Sequence, residues 1–266
     1  MALTVDIYMS FAFAPTPILK PYYQKGDVTL YCSTYQKILP ELDSRSIDAL
    51  ITDPPYGNTQ LIWDRTIDWK FFWTQTERIC KLTAPMVIFS CGKFTNQLIN
   101  SNTSHYRYEL IWEKPNVVGF LDANFRPLRN HENILIFARE LRKTIYNPQF
   151  VEGKLHSRSK GLCGGKHYSN PKKVMPGVKT NLYHPRSVLK FDKRPSDKNL
   201  HPTQKPIDLM RWLVRAYSNP AATILEPFAG SGSTIVAAAI EGRKVVAIEQ
   251  SEEYCEVIAR RLESGE

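Results

Sequence analysis

Seven short runs rich in β-branched or aromatic residues recur along the chain: VTLYC (28–32), IDALITD (47–53), MVIFS (86–90), YELIWEK (108–114), NILIFAR (133–139), TILEPF (223–228) and KVVAIEQ (244–250). Runs of this length bounded by polar or turn-forming residues predict strands. Between several of them the apolar positions change to a helical period, over 68–82, 93–100, 206–217, 233–241 and 251–262. Pro206 suits a first helical turn, and Ser251 is a ready N-cap. Strands alternating with helices predict an α/β fold, a largely parallel sheet covered on both faces. Ligands of such sheets bind beyond the carboxyl ends of the strands. The residues that end these runs are therefore the first candidates for chemistry.

Two strand ends stand out. The apolar run from Ile47 stops in ITDPPYGN (51–58), which supplies a carboxylate, two prolines and an aromatic ring. Prolines fix φ, so Asp53, the Pro54 carbonyl and Tyr56 are held before any ligand arrives. A strand-ending turn capped by Asp53 is the plain alternative. The second is TILEPFAGSGSTIVAAAIEG (223–242), strand, then Phe228 to Gly232, then helix. Its glycines permit a tight turn and a close ligand, and the helix N-terminus offers unpaired N–H groups. Glu249 follows Gly230 by nineteen residues and ends the next strand, where an acid can accept from ribose hydroxyls. Ile235 stands where a dinucleotide fingerprint has its third glycine, and no hydride-transfer residues accompany the loop, which argues against an NAD oxidoreductase.

Charge adds a partner. The net charge is +9, yet residues 142–198 hold 14 Lys/Arg against 3 Asp/Glu, a local +11 that leaves the remainder at −2. This segment also carries Tyr146, Phe150, Tyr168, Tyr183 and Phe191 and lacks a sustained apolar period. A basic, aromatic-bearing, loop-rich insertion is suited to tracking phosphates and stacking on bases; a solvated loop is the bland alternative. Arg142, Lys143, Lys154, Arg158, Lys160, Lys166, Lys172, Lys173 and Arg186 are the expected phosphate contacts.

Other classes recede. No apolar run reaches the roughly 18 residues of a bilayer span. The start of the chain lacks a basic n-region and is broken by Asp6, Pro15 and Pro17, so a cytoplasmic, membrane-free protein is expected. Five scattered cysteines suggest reduced thiols. Cys163-Gly-Gly-Lys-His167 has a metal-like spacing but lacks two further ligands nearby, so no metal is expected.

Four segments together resemble the amino-group DNA methyltransferases. Asp53-Pro54-Pro55-Tyr56 matches their catalytic motif, and Glu226-Pro227-Phe228-Ala229-Gly230-Ser231-Gly232-Ser233-Thr234 their cofactor loop. HPTQKP (201–206) matches a segment packed beside the methionine part of the cofactor, and LRNHENILIFAR (128–139) one that closes the catalytic half. The order is the circularly permuted one called the beta class, and the likeness spans about 30 to 260. It implies a Rossmann-like, S-adenosylmethionine-dependent methyltransferase fold with a mostly parallel seven-stranded sheet and helices on both faces. A catalytic half at 22–140, a basic target-recognition insertion at 141–199 and a cofactor half at 200–266 follow from it.

The resemblance also implies roles. S-adenosylmethionine would bind at Glu226, Pro227, Phe228, Ala229, Gly230, Ser231 and Gly232, with Glu249, Gln250, His201, Thr203, Lys205 and Thr34 around it. Members often carry Gly-Asp where Ser33-Thr34 stands, which puts cofactor affinity in question. Trp63-Asp64 is read either as part of a mobile loop over the base or as a packed tryptophan.

Chemically, the target amine is a poor nucleophile buried in the duplex, so the base must rotate out. Asp53, with Pro54 and Pro55 setting the geometry, would accept from that amine, and Tyr56 would stack on the base. Asp at the first motif position resembles the N6-adenine enzymes, with N4-cytosine as the alternative. Double-stranded DNA is the expected partner; a homodimer and a separate restriction endonuclease stay open. An inactive DNA-binding relative, or methylation of RNA or protein, is the contrasting function.

Overall fold

The computed structural model describes residues 20–57, 67–160, 175–192 and 204–265, with backbone alone at 157–160 and 175–178. Its strands are β1 (Tyr23–Lys25), β2 (Val28–Cys32), β3 (Ala49–Thr52), β4 (Met86–Ser90), β5 (Tyr106–Val118), β6 (Arg129–Phe137), β7 (Val151–Lys160), β8 (Met175–Tyr183), β9 (Val188–Lys190), β10 (Thr223–Glu226) and β11 (Lys244–Glu249). The α-helices are α1 (Tyr35–Ile38), α2 (Trp69–Ile79), α3 (Lys93–Ser101), α4 (Ile207–Tyr217), α5 (Ser233–Ile240) and α6 (Glu252–Ser264). Asp68 caps α2 by accepting from the Phe71 N–H, and Ser251 caps α6 through the Tyr254 N–H.

Nine strands form one sheet in the order β1-β2-β11-β10-β3-β4-β6-β5-β9. The central five, β2 to β4, are parallel, and β6 runs antiparallel to both of its neighbours. Parallel strands covered on both faces read as continuous apolar runs, and β3 and β4 are buried at every position. Alternate side chains leave on opposite faces. Ile51, Val87 and Phe89 join one core with α4, α5 and α6, while Leu50, Met86 and Ile88 join the other with α1, α2 and α3.

All seven anticipated strands are present, with β5 and β6 longer than their apolar cores. Two further strands lie at the sheet edges, β1 beside β2 and β9 beside β5. Each has three residues, too few for a visible period. The basic insertion is less loop-like than its sequence suggests. β7 and β8 pair antiparallel as a separate two-stranded sheet, because their mixed polar sequences pair through backbone groups, which leave no apolar signature. Its root is fixed: the Asn147 N–H donates to the Ala216 carbonyl at the end of α4 (2.7 Å), and the Tyr146 and Tyr217 rings lie 5.7 Å apart. β9, also inside 141–199, belongs to the main sheet.

Candidate active site

Register explains how two motifs more than 170 residues apart become one site. Parallel pairing of Leu225 with Leu50 sets the end of β10 beside the end of β3. On the other side, β11 aligns Glu249 with Cys32, and the Ser33 N–H donates to the Glu249 carbonyl at 2.8 Å. Four loops thus leave the carboxyl edge around a cavity of about 230 Å³, walled by Ser33, Thr34, Tyr35, Gln36, Pro54, Pro55, Ile67, Pro227, Phe228, Gly230, Ile248, Glu249, Gln250, Ser251 and Tyr254.

The glycine loop has two different glycine problems. Gly230 has φ +52° and nothing within 4 Å of where a Cβ would stand, so its backbone faces open space. Gly232 has φ +81°, and a Cβ there would meet Ile258 Cγ1 of α6 at 2.8 Å. Its absence of side chain serves packing as well as the turn. Arg261 of α6 steadies the loop by donating to the Ser231 carbonyl at 2.5 Å.

Glu249 is nearly buried, and its carboxylate accepts from the Gly230 N–H (2.7 Å) and the Ser251 N–H (2.9 Å). Burial pushes its pKa up, and these backbone N–H groups counteract the rise. Each carboxylate oxygen has a second lone pair, so the side chain that ties the loop to β11 keeps capacity to accept from a ligand.

Glu226 behaves differently from what the resemblance implies. It is buried and does not wall the cavity. Its carboxyl is bonded to the hydroxyls of Thr52 and Thr234 (2.6 Å for Thr234) and to the Phe228 N–H at 3.1 Å. Burial raises its pKa from 4.5 to about 8, with those partners opposing the rise. Glu226 is a brace between the end of β3 and the glycine loop, set under the site.

Asp53 lies between two donors. The Tyr56 hydroxyl donates to Oδ1 at 2.7 Å, and the Lys205 ammonium to Oδ2. Lys205 also reaches Glu132 of β6 at 3.3 Å and stands 5.0 Å from the centre of the Phe89 ring. Glu132 is held in turn by Lys114 of β5 at 2.9 Å. Burial raises the Asp53 pKa, an effect that Lys205 opposes. Burial alone would depress Lys205, but Asp53 and Glu132 hold it above the ordinary lysine range. Glu132 is pushed up by burial and brought below its ordinary value by Lys205 and Lys114. The Tyr56 ring rests on Phe94, centroids 4.8 Å apart at 34°. Burial and the adjacent Asp53 keep its phenol protonated.

Of the residues singled out in the sequence, Asp53 to Tyr56, Thr34, Pro227, Phe228, Gly230, Glu249 and Gln250 meet at this edge. Ala229, Ser231 and Gly232 shape the loop beneath the cavity wall. Lys205, implied to lie beside the cofactor, is bonded to Asp53. His201, Thr203, Trp63 and Asp64 lie outside the described residues, as do Lys166, Lys172, Lys173, Cys163 and His167. Arg142 and Lys143 follow β6, whose end pairs with Met86 at the start of β4, and the nearby Ile145 N–H donates to the Thr83 carbonyl. They sit at the opposite edge of the sheet from Asp53, because β6 runs against its neighbours. Lys154 and Arg186 are exposed on and beside the β7–β8 hairpin, and Arg158 and Lys160 are on β7, described by backbone alone.

Sequence reasoning passed over Lys114, Glu132, Tyr35 and Tyr254. The first two were detectable as opposite charges at the ends of otherwise apolar runs. Tyr35 stands 5.1 Å from Phe228 and accepts from the Asp68 N–H at 3.2 Å, contacts with no local sequence signal. Among the described residues no group of three His, Cys, Asp or Glu side chains could hold a metal, and no helix is long and apolar enough to cross a membrane.

A strand-end carboxylate beside a nucleoside-sized cleft with a glycine loop and a ribose-ready acid defines a class that the comparisons make specific. The family model for N6/N4 methyltransferases, described as DNA methylase, matches residues 47–260. The chain belongs to this family of amino-group DNA methyltransferases, enzymes that use S-adenosylmethionine as methyl donor. It is 29% identical over 243 residues to the DNA adenine methyltransferase YhdJ of Escherichia coli (strain K12), covering 85% of this chain and 79% of the relative. Among solved structures, the PvuII cytosine-N4-specific DNA methyltransferase aligns with TM-score 0.67 at 15% identity, covering 93% of this chain and 96% of that one. The M1.HpyAVI–SAM complex aligns with TM-score 0.56 at 23% identity, covering 88% and 99%. These two share the fold with this chain.

Proposed function

We propose that this methyltransferase modifies the exocyclic N6 amine of adenine in double-stranded DNA. The observation that carries the proposal is a carboxylate, Asp53, at the end of β3, with Pro54 and Pro55 next to it in the cavity wall. The fit of the cleft to S-adenosylmethionine rests on Gly230, open to the cavity with no Cβ to block it, and on Glu249, which lines it. Phe228 and Tyr35 offer aromatic surface to an adenine, and Thr34 and Gln36 offer polar atoms on the facing wall. When bound, this cofactor supplies an electrophilic methyl group on a sulfonium.

The protein's own part is to make an unreactive amine attack. Delocalisation into the ring weakens the nitrogen lone pair, and two acceptors counter it by favouring a pyramidal nitrogen. Asp53 accepts one N–H, and the Pro54 carbonyl is placed to accept the other. As the nitrogen gains positive charge, the Asp53 carboxylate stabilises it and is the nearest base for the departing proton. Tyr56, already seated on Phe94, is the platform for a base taken out of the duplex, a contact worth about 1–3 kcal/mol.

DNA would lie along the carboxyl edge. The β5–β6 turn stands there, displaying Phe120, Leu121 and Phe125, of which Leu121 is 99% exposed. The β7–β8 hairpin, rooted at the end of α4, exposes Lys154 and Lys179, with Arg186 following it, and these would meet DNA beyond the target base. Such cations hold phosphates, and a few side chains among them read base edges.

The test is expression in a host lacking DNA methylation, with modification-sensitive sequencing and nucleoside mass spectrometry of its DNA. N6-methyladenine at a defined sequence is expected from the wild type and none from Asp53→Ala with its fold intact. N4-methylcytosine would replace the adenine reading, which the PvuII likeness keeps in view. Unmodified DNA from a protein that fails to bind S-adenosylmethionine would sink both.

A further inference from the structure

Lys205 does not wall the cavity and is bonded to Asp53 instead. Its side chain is 6% exposed, its ammonium bonds to Asp53 Oδ2, and Glu132 lies 3.3 Å from the same ammonium. Lys114 then closes on Glu132 at 2.9 Å. Four charges alternate in sign, Asp53, Lys205, Glu132, Lys114, and they come from four elements: the loop after β3, the residues before α4, β6 and β5. The row is neutral in sum.

Alternation solves a problem that Asp53 cannot solve alone. A buried carboxylate tends to take up a proton, and a protonated Asp53 would present a donor where the amine needs an acceptor. A cation at Oδ2 opposes that uptake. An uncompensated cation there would oppose the positive charge growing on the attacking nitrogen, roughly in inverse proportion to distance. Glu132, bonded to the same ammonium, offsets part of that field. Geometry adds a second effect. With Oδ2 occupied by Lys205 and its orientation thereby fixed, Oδ1 is the oxygen left to the substrate, and its present partner is the single Tyr56 hydroxyl.

We infer that Lys205 and Glu132 are positioning residues for methyl transfer: Lys205 fixes and polarises Asp53, and Glu132 holds and neutralises Lys205. This deepens the proposed function, since it rests on Asp53 accepting from the target amine.

The test compares the full-length wild type with Lys205→Met, Lys205→Arg and Glu132→Gln, each checked for folding by circular dichroism. Calorimetry gives the dissociation constant for S-adenosylmethionine, and single-turnover methylation of duplex DNA across pH gives the rate and its acid limb. Lys205→Met should lower the rate about 10²–10³-fold, the scale for losing a preorganised electrostatic partner, and leave cofactor affinity within about threefold. Lys205→Arg should recover part of the rate.

The acid limb supplies the readout that a packing defect would not move. Asp53 faces Lys205, Glu132 and Tyr56, with Glu226 at the end of β10 also near it; Lys114 stands behind Glu132, and Cys91 after β4 is near Tyr56 and Arg129 of β6. Removing the Lys205 cation should move the limb to higher pH, and removing the Glu132 charge should move it lower. Opposite shifts support the inference. Shifts of one sign, or none, overturn it, as does a Lys205→Met enzyme that loses cofactor affinity more than tenfold yet keeps its rate at saturation. Should Lys205→Met fail to fold, the downward shift in Glu132→Gln decides alone. Mass spectrometry of the wild-type product is read separately, so a cytosine product would sink the adenine assignment and leave this test standing.

Discussion

Asp53 and Glu226 end neighbouring strands, the first partly and the second wholly withdrawn from water, and have been given opposite company. Asp53 meets an ammonium and a phenol. Glu226 meets two hydroxyls and one backbone N–H, with no cation. Burial raises both, yet only Glu226 has nothing cationic to resist it, and it reaches about 8. A few ångströms of strand spacing separate a carboxylate bonded to a cation from one bonded only to neutral donors. Position at a strand end does not assign a role; the charge of the partner does.

Exchanging each carboxyl for its amide separates the two roles. Asp53→Asn keeps the shape, removes the charge and should cost about 10³-fold in rate, with thermal stability and cofactor affinity nearly unchanged. Calorimetry and single-turnover assays on one preparation check both. Glu226→Gln should show the converse, near-normal chemistry with altered pH dependence of stability. Glu226 rises from 4.5 to about 8, so between those values the unfolded chain has released a proton that the folded protein retains. Wild-type stability therefore falls from this group as pH climbs through that window. At about 1.4 kcal/mol per unit, Gln should gain a few kcal/mol on wild type between pH 5 and 8.5, read from melting curves. Equal slopes for the two proteins would remove Glu226 from its bracing role.

Smaller effects sharpen the contrast from the side of the partners. Tyr56→Ala should weaken binding of duplex DNA by about 1–3 kcal/mol through lost stacking. Tyr56→Phe should stay within a few-fold of wild type in a gel-shift titration, because its ring remains. The smallest change is expected at Thr34, which lines the cavity where relatives often offer an acid. Thr34→Asp should tighten S-adenosylmethionine by about three- to tenfold, the value of roughly one hydrogen bond.

Much of this was legible before any fold. The apolar runs at 86–89 and 245–248 announced strands of a covered sheet, and β4 and β11 contain them with little adjustment. Asp53, Phe228, Gly230 and Glu249 were visible because strand ends and glycine turns are local signals. What escaped depends on pairing between distant segments. Glu226 looked like part of the cofactor wall because its inward turn toward Thr52 follows from the β10–β3 register. Lys205 looked like a cofactor contact because nothing near 205 in the chain reveals Asp53 or Glu132 as neighbours. Arg142 and Lys143 were expected at DNA from their charge; that they stand at the opposite edge of the sheet from Asp53 depends on the direction of β6, which a sequence does not display.

The β7–β8 hairpin pairs with itself and with no strand of the nine-stranded sheet, and Asn147 anchors its root to the end of α4. On the proposed reading of this hairpin as a segment that meets DNA, strands β7 and β8 could be exchanged for others without breaking a single hydrogen bond of the sheet that carries Asp53 and Glu249.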